Sequence, residues 1–368
     1  MLNVKVLHIV WSATIGGIEK VVLDLVEQQK KNPHLEVAVL IARKEGEFLS
    51  RFEQLGKTYF ANLKSGNDLN FFKYVNTYRA FKKYDVLHFH SFNPWLAITA
   101  TCSGKKIVYT EHGNFGFGKS LTYPLRFVYQ MQKIFLNKYV DFISFNSRFS
   151  KQLSEHRNGL QKVKHEVLYN GISFNVTSEK EKTAIALREK INNRFTVGVI
   201  ARLAGVKRID RLINSFAEFA KDKEAVLLII GDGVLKDELT KFVAQKNISD
   251  KTLFAGYLKN VRNYYSLLDV AVFPSQNEAF GLVAIESFDA GKPTIVFKDG
   301  GGLAELIEQV ETKDVVSNER ELAQRMNYYF NNREAINDEK LILKRKAFAR
   351  EFDICKMEKE FSKVYQSL

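Results

Sequence analysis

The chain has 368 residues, 45% hydrophobic and 26% charged, with 21 Gly and 5 Pro; this excludes a disordered or fibrous chain and, at about 150 residues per domain, suggests two domains. Lys and Arg outnumber Asp and Glu by 55 to 42, and of the net +13 residues 1–180 carry +11 and residues 71–140 alone +8, a local surplus that suits a polyanion, a membrane surface or an acidic partner. Two isolated cysteines, Cys102 and Cys355, exclude a disulfide scaffold and a Cys-based zinc site, and no apolar run reaches the roughly 18 residues of a membrane-spanning helix. A soluble, cytoplasmic protein is the expectation.

Short runs rich in Val, Ile and Phe alternate with helical patterns along the chain. Val4–Val10 reads as a strand, and Ile18–Gln29 as a helix with Val21, Val22, Leu25 and Val26 on one face. Strands follow at Leu35–Ala42, Asp85–His90, Lys106–Thr110 and Phe142–Asn146. After a polar stretch at Asn175–Lys182 the texture restarts. Strands are expected at Phe195–Ile200, Ala225–Ile230, Thr252–Ala255, Val270–Pro274 and Thr294–Phe297. Helices are expected at Ile209–Ala220, Leu235–Gln245, Val261–Leu268, Gly281–Ala290 and Leu303–Gln309, with a charged helical tail over 319–368. Continuous apolar strands separated by helices predict parallel sheets covered on both faces. The fold class is therefore α/β, as two Rossmann-like doubly wound domains, residues 1–175 and 176–345, with a C-terminal helix over 346–368 that packs back toward the first domain. Ligands of such sheets bind beyond the carboxyl ends of the strands, and two such domains facing each other would create a cleft.

Four constellations sit at strand ends. Gly16 and Gly17 join the first strand to its helix, where bare backbone and a helix N-terminus admit an anion; a plain tight turn is the alternative. Glu111-His112-Gly113 closes the strand Lys106–Thr110 and leads into the loop Asn114–Gly118. His88 and His90 point to one face of a strand, where packing explains them, and no third metal ligand stands at suitable spacing. Arg202 and Lys207 follow the strand Phe195–Ile200 and suit a diphosphate, the first as a planar fork and the second as a point charge; Arg208 and Arg211 read better as a solvated loop. Glu278 and Glu286 are eight residues apart, in a loop and on the helix it opens. Glu278 as a simple cap and Glu286 paired with a lysine are the competing readings.

In order and spacing these residues resemble the retaining glycosyltransferases of family 4, the glycosyl transferases group 1, whose fold is GT-B. The carriers are Gly16-Gly17-Ile18-Glu19, His112, Asn170-Gly171-Ile172, Arg202 with Lys207, Gly231-Asp232-Gly233, Phe254-Ala255-Gly256, the pair Glu278 and Glu286, and Gly301-Gly302-Leu303-Ala304-Glu305. Ala201, Ser173 and Arg208 depart from the pattern; a Gly usually stands at the first and last, an Asp at the second. The resemblance implies a nucleotide-diphosphate sugar as donor, UDP-linked, and a glycan or lipid-linked acceptor in cell-envelope polysaccharide or glycolipid synthesis. Arg202 and Lys207 would hold the diphosphate, Glu286 the ribose hydroxyls and Glu278 the transferred sugar. The backbone of Ala279, Phe280, Gly281 and Leu282 would touch sugar and phosphate, Gly16 and Gly17 the phosphate, Leu258 the base, and His112 would lie by the reacting face of the sugar. No Asp-x-Asp occurs in the sequence, so no metal and no cofactor is expected. A GT-B epimerase or sugar phosphorylase is the alternative. A nucleic-acid-binding protein stands further off, since no recognition motif accompanies the basic patch.

That patch has two segments. Phe71, Phe72, Lys73, Tyr74, Tyr78, Arg79, Phe81, Lys82, Lys83 and Tyr84 form the first. Behind Pro124, the residues Phe127, Val128, Met131, Ile134 and Phe135 recur at helical spacing, with Arg126 and Lys133 opposite. An acceptor or anionic membrane surface would meet Lys73, Lys82, Lys83, Arg126 and Lys133, as a peripheral protein does on the inner face of the plasma membrane; a core-facing helix with a solvated basic face is the competing reading.

Overall fold

The computed structural model describes residues 3–113, 123–160, 163–174 and 182–368. Two compact units result, one of Met1–Ser173 with Phe352–Leu368 and one of Phe174–Glu351. The expected loop Asn114–Gly118 and most of the polar joint near 175–182 lie outside the described residues.

The first unit runs β1 (Val4–Val10), α1 (Gly17–Gln29), β2 (Leu35–Ile41), α2 (Leu49–Leu55), β3 (Thr58–Phe60), α3 (Phe71–Phe81), β4 (Val86–Phe89), α4 (Pro94–Ser103), β5 (Lys106–Glu111), α5 (Tyr123–Lys138), β6 (Phe142–Phe145), α6 (Arg148–Asn158) and β7 (Lys164–Val167). Its strands are all parallel, in the order β3-β2-β1-β4-β5-β6-β7. The topological switch point lies between β1 and β4. Leu7, Ile9, Leu87, Phe89, Ile107, Ile143 and Phe145 share a core with Phe81, Leu96, Ala97, Phe135 and Leu136 of α3, α4 and α5. Residues that alternate with these strand positions include His8, His88, Thr110 and Ser144, a polar row in adjacent strands and fully buried.

The second unit runs α7 (Lys182–Ile191), β8 (Phe195–Ile200), α8 (Ile209–Phe219), β9 (Ala225–Ile230), α9 (Lys236–Gln245), β10 (Thr252–Gly256), β11 (Val270–Phe273), α10 (Leu282–Asp289), β12 (Thr294–Phe297), α11 (Gly302–Glu308), β13 (Val315–Val316), α12 (Glu319–Asn331), α13 (Glu334–Asn337) and α14 (Glu339–Arg350). Its parallel strands follow the order β10-β9-β8-β11-β12-β13, so the switch point lies between β8 and β11. The expected helix at Val261–Leu268 is instead a 3-10 stretch, Val261–Leu267. It is held between left-handed Asn260 (φ 50°) and extended Leu268, and short connectors of this kind take the tighter turn.

The last helix, α15 (Ile354–Ser367), belongs to the first unit. There it packs on α1 and the turn after it, through Gln29–Tyr365 (3.4 Å) and Asn32–Glu358 (2.8 Å) hydrogen bonds. The units part at Glu351 and Phe352, not at 345 and 346 where the sequence set the boundary. Arg345, fully buried, pairs with Glu311 (2.6 Å) and donates to the Gly291 carbonyl (3.0 Å), which fixes α14 to the second unit. At Asn170-Gly171-Ile172 the chain meets the start of α15: Ile172 exchanges backbone bonds with Phe352 and Ile354, and a Cβ on Gly171 would lie 2.6 Å from the Ile354 backbone. That close approach explains the glycine.

Candidate active site

At the switch point of the second unit two strand-end loops meet. The loop after β8 holds Arg202 and a turn at Gly205–Lys207, and the loop after β11 holds Glu278. Gln276 N–H donates to the Val206 carbonyl (3.0 Å), tying one loop to the other. Lys207 Nζ stands 2.7 Å from Glu278 Oε1, both side chains about four-fifths buried. The second carboxylate oxygen, Oε2, is shielded from solvent and has no hydrogen-bond partner among the described residues. A buried carboxylate oxygen without a donor is costly, so this is a position where a ligand hydroxyl gains a bond and the site loses a penalty.

The loop is held from behind. Asn277 N–H donates to Asp299 O (2.8 Å), Glu278 N–H to Gly300 O (3.2 Å) and Gly302 N–H to Glu278 O (2.7 Å). A Cβ on Gly302 would collide with the Ala279 carbonyl, and one on Gly281 (φ +112°) with Leu303. Gly281 caps α10 in the left-handed region without a side-chain hydrogen bond, which leaves the helix N-terminus open to an anion. Phe280 is buried, with its ring turned into the unit's interior. Glu286, one turn along α10, is 3.5 Å from Arg262 Nε and 3.4 Å from Tyr265 Oη. The expected competitor was a lysine; Arg262 and Tyr265 stand there instead.

Arg202 is exposed, and among the described residues its guanidinium enters no hydrogen bond or ion pair that would neutralise it. Gly231 (φ +141°) and Gly233 (φ +157°) press on the backbone of Ala201 and Leu203, so the β9 loop buttresses the arginine loop. Leu258 follows β10 half-buried beside exposed Tyr257. The departure at Arg208 has a visible consequence: φ is +46°, a conformation for which glycine is the ordinary residue. Arg208 pairs with Asp210 (2.9 Å). Arg211 corrects the solvated reading, for it lies over the Phe297 ring (3.7 Å) and bonds Asp299 (2.8 Å), bracing the segment behind Glu278.

In the first unit Gly16 caps α1 with extended backbone, and a Cβ there would collide with the Glu19 carboxylate, whereas one on Gly17 would meet nothing within 4 Å among the described residues. His112 directly follows β5, half-buried, with Nε2 3.0 Å from His90 Nδ1. The structure supplies what the spacing of His88 and His90 lacked: His8, 82 residues from His90, brings a third imidazole within 4.8 Å. Every nitrogen of these three rings already has a hydrogen-bond partner. They are His90 and Gln29 for His8, Tyr365 and Thr110 for His88, and His8 and His112 for His90. Burial lowers the pKa of His8 and of His112 to about 4 and holds His88 and His90 well below the ordinary range. The cluster is neutral at pH 7.

Of the patch cations, Lys73 is paired with Asp68 (2.7 Å) and is mostly buried; Lys82 reaches the Ser103 carbonyl (3.3 Å); Lys83 and Arg126 are exposed and Lys133 half-buried. The apolar stripe on α5 divides. Phe135 joins the core, while Phe127 is 62% and Ile134 49% exposed. On α3, Phe71 is 71% and Phe72 77% exposed. Among the described residues no helix is long and apolar enough to cross a membrane.

Comparison with known proteins gives two family matches, the glycosyl transferases group 1 over residues 181–347 and glycosyltransferase family 4 over residues 15–175. An uncharacterized glycosyltransferase of Methanocaldococcus jannaschii is 33% identical over 159 residues, 39% of each chain. The O-antigen biosynthesis glycosyltransferase WclY of Escherichia coli is 24% identical over 305 residues, 79% of each chain. The Anabaena protein Alr3699/HepE, solved in complex with UDP and glucose, superposes with a TM-score of 0.83 at 20% identity, covering 99% of this chain and 100% of that one.

Proposed function

The chain belongs to the group 1, family 4 glycosyltransferases of GT-B fold, and on that footing we propose that it moves a sugar from a UDP-sugar to a hydroxyl of a glycan or lipid-linked acceptor in cell-envelope synthesis, retaining the anomeric configuration and using no metal. The observation that carries this reading is the Glu278–Lys207 pair with its partnerless Oε2. One carboxylate there is both anchored by a cation and open to a sugar hydroxyl. The UDP held by the structural relative and the O-antigen role of WclY support donor and acceptor class.

As the C1–O bond to the diphosphate breaks, negative charge grows on the leaving phosphate. Arg202, Lys207 and the uncapped N-terminus of α10 are preorganised to meet that charge, and fixed donors of this kind lower a barrier more than mobile water does. The acceptor oxygen forms its bond to C1 on the same face, and its proton passes to the departing phosphate oxygen. Glu286 takes the ribose hydroxyls and Leu258 the base. Gly16, Gly17 and His112 are proposed contacts of phosphate and sugar. On the acceptor side, Phe71, Phe72, Phe127 and Ile134 with Lys82, Lys83, Arg126 and Lys133 are proposed to rest on an anionic membrane surface, the protein being cytoplasmic and peripheral.

A panel of nucleotide sugars, incubated with chelator present and analysed for sugar release and for the anomer of any glycoside formed, tests the reading. Turnover of one UDP-sugar with retention is expected, and its loss in Glu286→Ala. Inversion, or turnover only with added divalent metal, contradicts it.

A further inference from the structure

The buried imidazoles of the first unit form a directed chain. Gln29, fully buried at the end of α1, presents Oε1 to His8 Nε2 (2.8 Å) and Nε2 to Tyr365 Oη (3.4 Å). His8 Nδ1 meets His90 Nε2 (2.9 Å), and His90 Nδ1 meets His112 Nε2 (3.0 Å). A neutral imidazole has one donor nitrogen and one acceptor nitrogen, so the state at one end of such a chain fixes every ring along it. Gln29 Oε1 can only accept. His8 therefore carries its proton on Nε2 and accepts at Nδ1, His90 does the same, and His112 does the same after it.

We propose that Gln29, acting through His8 and His90, is the positioning residue that holds His112 with its proton on Nε2 and its Nδ1 lone pair turned to the ligand. His112 then accepts from a hydroxyl and repels a phosphate oxygen, which is also an acceptor. On the proposed function that hydroxyl belongs to the sugar substrate, and only this identification rests on that reading; the tautomer chain stands without it. Neutrality is part of the device, because an imidazolium at any link would donate from both nitrogens and break the direction. The low proton affinity that burial gives all three rings keeps them neutral. The same amide orients the second branch. Gln29 Nε2 donates to Tyr365, whose hydroxyl is then free to donate to His88 Nδ1 (2.7 Å); His88 Nε2 donates to Thr110 (2.6 Å) and Thr110 to Ser144 (2.6 Å). Both branches leave one side chain, and α15 closes the second of them.

The test is a long-range 1H–15N correlation spectrum of the imidazoles in the full-length, uniformly 15N-labelled protein at pH 7.5, with His8→Gln, His90→Gln and His112→Gln for assignment. The Nε2–H tautomer is expected for His8, His90 and His112. Proton on Nδ1 of His112, or an even mixture of tautomers, overturns the proposal whatever the enzyme's activity. Gln29→Leu should turn the His112 signals into a mixture and lower kcat about three- to tenfold, the worth of one hydrogen bond, with KM for the donor unchanged. Gln29→Asn, which keeps a neutral amide at this position, should recover part of both. Equal losses in Leu and Asn variants with an unaltered His112 tautomer would reduce Gln29 to packing. A protein that binds no nucleoside diphosphate but shows the expected tautomers would instead refute the function and leave the chain intact.

Discussion

Lys207 and Glu278 are 71 residues apart in sequence, and their side chains meet at 2.7 Å where the loops after β8 and β11 converge. The fold brings them there because β8 and β11 are the neighbouring strands at which the sheet reverses its direction of growth. In the proposed reaction the cation has two tasks, anchoring a carboxylate that would face the sugar and meeting the charge of a leaving phosphate.

Removal of Arg202 separates function from folding. Its guanidinium is exposed and forms no ion pair among the described residues, so Arg202→Ala should keep stability within about 0.5 kcal/mol of the parent. Turnover should fall by about 10²–10³, the range for loss of one preorganised charge contact. Lys207→Ala should cost a similar factor and also stability, since it strands the Glu278 carboxylate. Thermal melts beside steady-state kinetics check both, and a stable, fully active Arg202→Ala protein would remove the residue from the site.

The two left-handed positions beside the site should respond in opposite ways. Arg208→Gly relieves φ +46° at the loss of a surface ion pair to Asp210, so it should be neutral or stabilising by up to about 1 kcal/mol. Gly281→Ala adds a Cβ at φ +112° against Leu303 and should destabilise by more than about 1 kcal/mol. Denaturant midpoints measure both.

Acid should unfold the first unit through its histidines. His8 and His112 fall to about 4 in the folded chain and return to about 6.5 when unfolded, and His88 and His90 move the same way. The unfolded state therefore binds more protons below pH 6.5, and stability is lost as pH falls from 6.5 toward 4. For His8 alone the loss at pH 4 is on the order of 3 kcal/mol. Denaturation midpoints at pH 7.5, 6 and 5 should decline in that order; a flat profile would contradict the neutral cluster.

The exposed aromatic pair on α3 gives a clean membrane test. Phe71→Ser with Phe72→Ser removes two side chains that contribute little to the core, so folding and nucleotide binding should be unchanged. Sedimentation with vesicles containing anionic lipid should drop several-fold, and Lys82→Glu with Lys83→Glu should lower it further and in a salt-dependent way. Undiminished sedimentation in both variants would count against this face.

Much of the fold is legible in the sequence because buried parallel strands are continuous apolar runs, such as Val4–Val10 and Ala225–Ile230. The edge strands β3, β7 and β13 are less so: they have three, four and two residues, and Lys164–Val167 carries charge on alternate positions. In the site, Glu278 and Glu286 stand out by spacing, since loop and helix are local. Partners supplied by other elements do not. Arg262 and Tyr265 reach Glu286 from a 3-10 connector, Arg211 reaches Asp299 across 88 residues, and His8 joins His90 only through strand pairing. A histidine within an apolar strand carries no sign of which ring it will meet, so Gln29 and Tyr365 as partners of that row are visible only in the folded chain.

The central claim is that the loops around Lys207 and Glu278 hold a nucleoside diphosphate sugar. Calorimetric titration of UDP into the protein with a chelator of divalent metals, repeated on Lys207→Ala and Glu286→Ala, tests it most directly. Binding of UDP by the parent, weakened at least tenfold in each variant, is the predicted result; absence of binding by any nucleoside diphosphate at millimolar concentration, or equal binding by all three proteins, would contradict it.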